Sequence, residues 1–256
     1  MIHPKALLFS LILSSLWLSV PALAFDPDAL ERLRATNRCP GCNLQGADLR
    51  GFDLRGASLF EANLRGANLQ DVDLRSANLH RTNLSNANLS QANLADADFY
   101  SANLQYANLQ LADLREANLS NASLARADLR QTQLSDAILS TANLSEAYLT
   151  NANLSNANLQ RASLFRANLE NVNLTGANLI NADLREANLN SANLSSANLQ
   201  YAALANTNIS RAQLSDTNLE GTLLQNTELF SGVCVIDRVV GCVKPSSPPV
   251  VPSLSE

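Results

Sequence analysis

Between Leu44 and Leu229 every fifth residue is Leu, apart from Phe99 and Ile209, across 38 consecutive pentapeptides with no slip of phase. Two places before each of these stands Ala in 28 cases, and otherwise Cys42, Phe52, Val72, Val172 or a Thr. A period of five suits neither regular element. On an α-helix five residues rotate a side chain by about 140°, which smears the Leu around the cylinder. On a flat strand an odd period sends successive Leu to opposite faces. The chain must therefore turn once per repeat so that every Leu meets a shared axis, with the short Ala at a crowded corner. Turns stacked in this way make a solenoid.

The run A-[DN]-L-x-x, as in Ala47-Asp48-Leu49-Arg50-Gly51 and Ala67-Asn68-Leu69-Gln70-Asp71, resembles the pentapeptide-repeat family. The likeness covers about three quarters of the chain. It implies an all-β fold, a right-handed quadrilateral β-helix with four repeats per coil and with the Leu and Ala positions inward. On that geometry residues 44–231 make about 9.5 coils, and a rise of about 4.8 Å gives a rod about 45 Å long. Pro is absent between Pro40 and Pro245, as expected where backbone N–H groups must bond between coils.

The flanks differ in kind. Residues 1–24 read as a cleaved signal peptide, with Lys5 as the charged start, Ala6 to Val20 as the apolar stretch and Ala22-Leu23-Ala24 before the cut. The apolar stretch is shorter than the roughly 20 residues that span a bilayer, so no membrane span is expected after cleavage, with retention of the segment as an N-terminal anchor the alternative. Residues 25–43 form an N-terminal cap, with a short helix over Asp26–Leu33: Asp26 is the N-cap, Pro27 the first helical residue, and Leu30 and Leu33 the apolar pair. Residues 232–243 form an apolar C-terminal cap, preceded by Thr217, Thr222 and Thr227 in the Ala slot. Residues 244–256 read as a Pro-rich disordered tail.

The four cysteines lie in these flanks. In an oxidising compartment their short local pairs favour two disulfides, Cys39–Cys42 and Cys234–Cys242. A shared zinc site would have to bridge about 45 Å between the pairs. Cys39-Pro40-Gly41-Cys42 has redox spacing but lacks the βαβ context of such motifs.

Catalytic chemistry finds little footing. Once the signal is removed His80 is the only His, so any His-based triad or His-rich metal site would have to run through that one residue, and no cofactor or metal is expected. Asp before Leu, as at Asp48, Asp53, Asp73 and Asp113, exchanges freely with Asn, which marks a structural slot rather than an acid–base catalyst. No Gly-rich phosphate loop is present.

Specificity is expected on the two residues that follow each Leu. With 20 residues per coil, Phe60, His80 and Tyr100 fall in one column, Arg55 and Arg75 in the column beside it, and Arg50 and Arg65 nearby. This strip is the candidate patch for a protein or a glycan, or a set of stacked side chains that only stabilises the ladder. Phe165, Tyr106 and Tyr201 read as isolated. Counted over these positions, 12 Arg face 10 acidic residues. The family includes DNA mimics that bind topoisomerase, but a basic surplus and an export signal argue against that role and against nucleic-acid binding. A β-helical carbohydrate enzyme would need inserted loops, and the periodicity leaves none. The expectation is a non-catalytic interaction or structural protein with a protein partner, exported to the periplasm or thylakoid lumen as in cyanobacterial members of the family.

Overall fold

The computed structural model describes residues 26–225, 227, 235–236 and 239–240. The signal peptide, the Cys234–Cys242 pair and the tail lie outside the described residues. From Arg38 to Leu223, single residues 20 apart pair as parallel β-bridges, beginning with Arg38↔Ser58, Asn43↔Asn63, Asp48↔Asn68 and Asp53↔Asp73. Four pentapeptides therefore close one coil, and each contributes one side. The sides are named here by their first full leucines: Leu44, Leu49, Leu54 and Leu59.

The backbone of one repeat explains the period. The Leu44 N–H donates to Asn63 O at 2.8 Å, the Gly46 N–H to Arg65 O at 2.9 Å, and the Asn63 N–H back to Cys42 O at 2.8 Å. The Ala47 N–H closes a turn on Leu44 O at 3.0 Å. In that turn only the second residue after Leu takes positive φ, as with Gly46 at 71° and Leu111 at 60°, which is the type II geometry. The corner is thus made by the two residues after Leu. Ala, expected at the corner itself, is the first residue beyond it.

The fifth N–H, on the residue after Leu, has no backbone partner, and here the Asn/Asp slot acts. In every slot that holds Asn or Asp, from Asn43 to Asn218, the Oδ1 atom accepts this N–H at 3.0–3.4 Å. Both residues carry the same Oδ1 acceptor, so either serves. Amide ladders add to this, as where Asn88 Nδ2 donates to Asn68 Oδ1 at 3.3 Å and Asn108 Nδ2 to Asn88 Oδ1 at 3.2 Å.

The residues of the Leu and Ala slots from Leu44 to Leu204, Phe52 apart, form one continuous buried core. Where Thr replaces Ala, its hydroxyl finds a carbonyl: Thr82 on Leu59, Thr207 on Leu184, Thr217 on Leu194 and Thr222 on Leu199 of the preceding coil, at 2.7–3.0 Å, and Thr132 on Leu129 of its own turn. A buried hydroxyl is thereby satisfied rather than stranded. In the last described coil Leu214 and Leu224 are only half-buried.

The repeat begins one unit before the expected Leu44. Cys39 fills the Leu slot and Cys42 the Ala slot, both buried, and Pro40-Gly41 forms the turn, with Gly41 at φ 65°. The two sulfurs sit at bonding distance across that turn, with Cα atoms 5.4 Å apart. Ahead of it helix α1 runs Pro27–Thr36, three residues beyond the expected end. The Asp26 carboxylate accepts the Asp28 N–H at 3.0 Å, and Asn37 ends the helix with φ 56°. Ala29 and Leu33 are buried in the same core as the coils, while Leu30 is only half-buried. Near the other end Val235–Ile236 (β1) and Val239–Val240 (β2) pair antiparallel.

Candidate functional site

The expected aromatic column exists. Phe60 and His80 stack with centroids 5.3 Å apart and planes at 21°, and His80 and Tyr100 follow at 5.0 Å and 31°. They follow Leu59, Leu79 and Phe99 on the Leu59 side, so the 20-residue coil puts them one above another. Stacked in this way, neighbouring rings cover part of one another's faces, which leaves less free ring face for a sugar than separate rings would offer. Phe60 and His80 are half-buried and Tyr100 is exposed.

The arginines around it divide differently from the expectation. Arg55 and Arg75 stand on the neighbouring Leu54 side, as expected, and Arg65 on the Leu44 side that flanks the column from the other direction. Arg50 belongs to the Leu49 side, opposite the aromatic column, and drops out of the patch. Arg50 is close to Arg55 along the chain, but each pentapeptide turns the chain onto a new side.

Three of the four guanidinium groups are also engaged. Arg50 grips Asp48 with contacts of 2.9 and 2.7 Å, Arg55 grips Asp53 at 2.8 and 2.5 Å, and Arg75 reaches Asp73 at 2.7 Å. Asp-Leu-Arg is a self-paired unit, repeated at Asp113–Arg115, Asp128–Arg130 and Asp183–Arg185. Hydrogen bonds from Arg50 and Arg55 hold the carboxyls of Asp48 and Asp53 down to about 2. Arg75 lowers Asp73 in the same manner. Arg65 alone of the four has no carboxylate partner among the described residues. At the corner after the aromatic column, Arg81 pairs with Glu61 at 3.3 Å.

The slot before Leu is itself exposed or half-buried, which changes the charge count. Seven Asp (Asp48, Asp53, Asp73, Asp98, Asp113, Asp128 and Asp183) join the exterior and turn the expected basic surplus into an acidic one. Two residues expected to be isolated are not. Tyr106 Oη accepts from Arg126 at 3.0 Å, Arg126 pairs with Glu146 at 2.8 Å, and Arg166 pairs with Glu186 at 2.6 Å. The Phe165 ring lies 4.8 Å from the Arg166 guanidinium and 5.8 Å from that of Arg185. Opposite charges spaced by 20, and Asp-Leu-Arg triplets, are the sequence signals that could have revealed both networks.

Among the described residues no group of His, Cys, Asp and Glu is placed to hold a metal ion, and no helix is long and apolar enough to cross a membrane.

The pentapeptide-repeat description matches this chain in eight copies, over residues 39–75, 77–115, 107–140, 142–179, 162–200, 173–211 and 187–226. No curated protein matches it. Among solved structures the chain is similar to HetL, a pentapeptide-repeat protein involved in heterocyst differentiation regulation in the cyanobacterium Nostoc sp. strain PCC 7120, with 34% identity over 73% of this chain and 86% of that one, at a TM-score of 0.44. It is similar to a pentapeptide-repeat protein of the Arabidopsis thaliana thylakoid lumen, at 29% identity over 40% of this chain and 72% of that one, TM-score 0.40. It is also similar to QnrB1, a plasmid-mediated fluoroquinolone resistance protein, at 21% identity over 67% of this chain and 84% of that one, TM-score 0.44. With its repeat matched over most of its length and a 20-residue coil to carry it, the chain belongs to the pentapeptide-repeat family.

Proposed function

We propose that this protein is a non-catalytic, exported interaction protein whose solenoid wall docks a protein partner through the Phe60–His80–Tyr100 column, with Arg65 at its flank. The observation that carries the reading is the stacked aromatic column on one side of a wall whose 20-residue register is unbroken from Arg38 to Leu223. A wall without inserted loops offers ladders of side chains rather than a cleft. Support for export comes from the first 24 residues and from the paired cysteines, which suit an oxidising compartment such as the periplasm or the thylakoid lumen. In this reading the coil winds right-handed as in the family, α1 serves as the N-terminal cap, and Cys39–Cys42 is a disulfide that clips the first turn.

The test is capture of partners from the exported fraction by the mature chain, with the triple variant Phe60→Ser, His80→Ser, Tyr100→Ser beside it. Loss of captured protein with an unchanged circular dichroism spectrum is expected. Equal capture by the variant removes the column from the interaction, and a mature N-terminus other than Phe25 removes the cleavage assignment.

A second reading, a DNA mimic, gains from the acidic exterior found here. Six of its seven Asp-slot carboxylates are nevertheless matched by an Arg two residues on, which cancels the phosphate-like charge. Protection of topoisomerase supercoiling activity by the purified chain would revive it.

A further inference from the structure

Each coil presents backbone groups to the coil before it. On the Leu49 side of the second coil, for example, Asn68 donates its N–H to Ala47 O at 2.9 Å while its carbonyl accepts the Leu49 N–H at 2.8 Å. Among the described residues no coil precedes the first, and the segment around α1 fills in on two sides only. Asp26 N–H donates to Asn43 O at 2.9 Å, and the Arg38 N–H donates to the Thr36 hydroxyl oxygen at 3.3 Å. Around the corner between the Leu49 and Leu54 sides, the carbonyl of Arg50 and both backbone groups of Asp53 have no partner among the described residues.

This bare edge borders a cavity of about 280 Å³ lined by Leu33, Arg34, Arg50, Gly51, Phe52 and Asp53. Phe52 occupies an Ala slot yet stays half-buried, with the Arg34 guanidinium 4.9 Å from its ring centre. Arg50 and Asp53 are each engaged in their own Asp-Leu-Arg pair, whereas Arg34 has no carboxylate partner among the described residues. The cavity therefore combines an apolar floor, a strand edge and one uncompensated positive charge.

We propose that this edge takes up an extended peptide of a partner protein, which adds a short parallel rung ahead of the first coil. By the register of the coils below, one peptide N–H would reach the Arg50 carbonyl. A peptide carbonyl would then accept the Asp53 N–H, and a later N–H would donate to the Asp53 carbonyl. Main-chain bonds of this kind supply affinity, and the side-chain pocket supplies selection. An apolar side chain would seat on Phe52, and an acidic one would meet Arg34. The site lies across the rod from the aromatic column and does not depend on it.

The experiment uses the full exported chain and a set of end-blocked hexapeptides in which Phe, Leu or Val is followed within two residues by Glu, read by backbone amide hydrogen exchange and by fluorescence anisotropy. Saturable binding that slows exchange of the Asp53 N–H is expected. Arg34→Glu should weaken binding about tenfold, as for loss and reversal of one close charge contact. Methylating the peptide's backbone nitrogens should abolish binding, and Phe60→Ser with Tyr100→Ser should leave it unchanged. The proposal is overturned if no peptide in the set slows Asp53 exchange. It also fails if N-methylated peptides bind equally well, if Arg34→Glu has no effect, or if the Asp53 amide is already protected in the free chain or becomes so as the chain is concentrated.

Discussion

Leu124 and Ile138 are both branched aliphatic residues in the same rod, and the rod treats them oppositely. Leu124 is wholly buried, one layer in a stack of near-identical layers, while Ile138 is 41% exposed in a slot that most often holds Asn or Asp. The inner stack is selected for volume, since each layer must fill the same square section. The outer slot is selected for an oxygen atom that can accept the N–H two residues ahead. Ile138 supplies none, and no bond from the Ser140 N–H replaces it among the described residues. One pentapeptide thus carries two codes, one of packing and one of hydrogen bonding, and only the packing code is strict.

The largest test of that contrast is Leu124→Ala. It should cost about 2–5 kcal/mol, because neighbouring layers held by backbone bonds on every side have little room to collapse into the cavity. Thermal unfolding followed at the β-sheet dichroism band checks it, and a loss below about 0.5 kcal/mol, typical of surface changes, would break the distinction between inside and outside. Next in size is the reverse operation on the outside. Ile138→Asn should raise stability by about 0.5–1.5 kcal/mol by giving the Ser140 N–H an acceptor, the usual net worth of one hydrogen bond. A lowered melting temperature would show that the slot prizes the apolar contact instead.

The smallest effect concerns charge. Asp48 and Asp53 titrate near 2 in the folded chain, below their ordinary 3.8, through hydrogen bonds from Arg50 and Arg55. A carboxyl with a depressed folded pKa contributes stability that is present above the unfolded value and is lost as pH falls from about 4 towards 2. Both pairs are well exposed, so the contribution is small and screened by salt. The melting temperature of the wild type should therefore fall slightly more across that window than that of the Asp48→Asn, Asp53→Asn variant, which keeps the Oδ1 acceptors. Identical acid profiles would assign the pairs no energetic role.

Much of the architecture was legible from residue spacing alone. The five-residue beat of Leu and Ala fixes what points inward, and Asp26 before Pro27 marks the start of α1. The end of α1 was not legible, because Arg34, Ala35 and Thr36 carry no apolar periodicity, and Asn37 stops the helix by adopting a left-handed backbone. The role of the Asn/Asp slot was recognised as structural, but its bond depends on where the corner falls, which composition does not reveal. Cys39 was missed as a repeat position because it replaces the very Leu that defines the phase. The candidate site fared less evenly. The Phe60–His80–Tyr100 column follows directly from counting in twenties, whereas the placement of Arg50 requires tracking which of four walls each pentapeptide builds.

That fourfold winding restricts how such a chain can change length. Removing one pentapeptide would rotate everything downstream by a quarter-turn against everything upstream, so that a charged corner would continue as an amide ladder and no stripe would survive the cut. Removing four in a row would instead shorten the rod by one storey and leave every stripe in line. Length variation that preserves a binding wall is therefore quantised in steps of twenty residues.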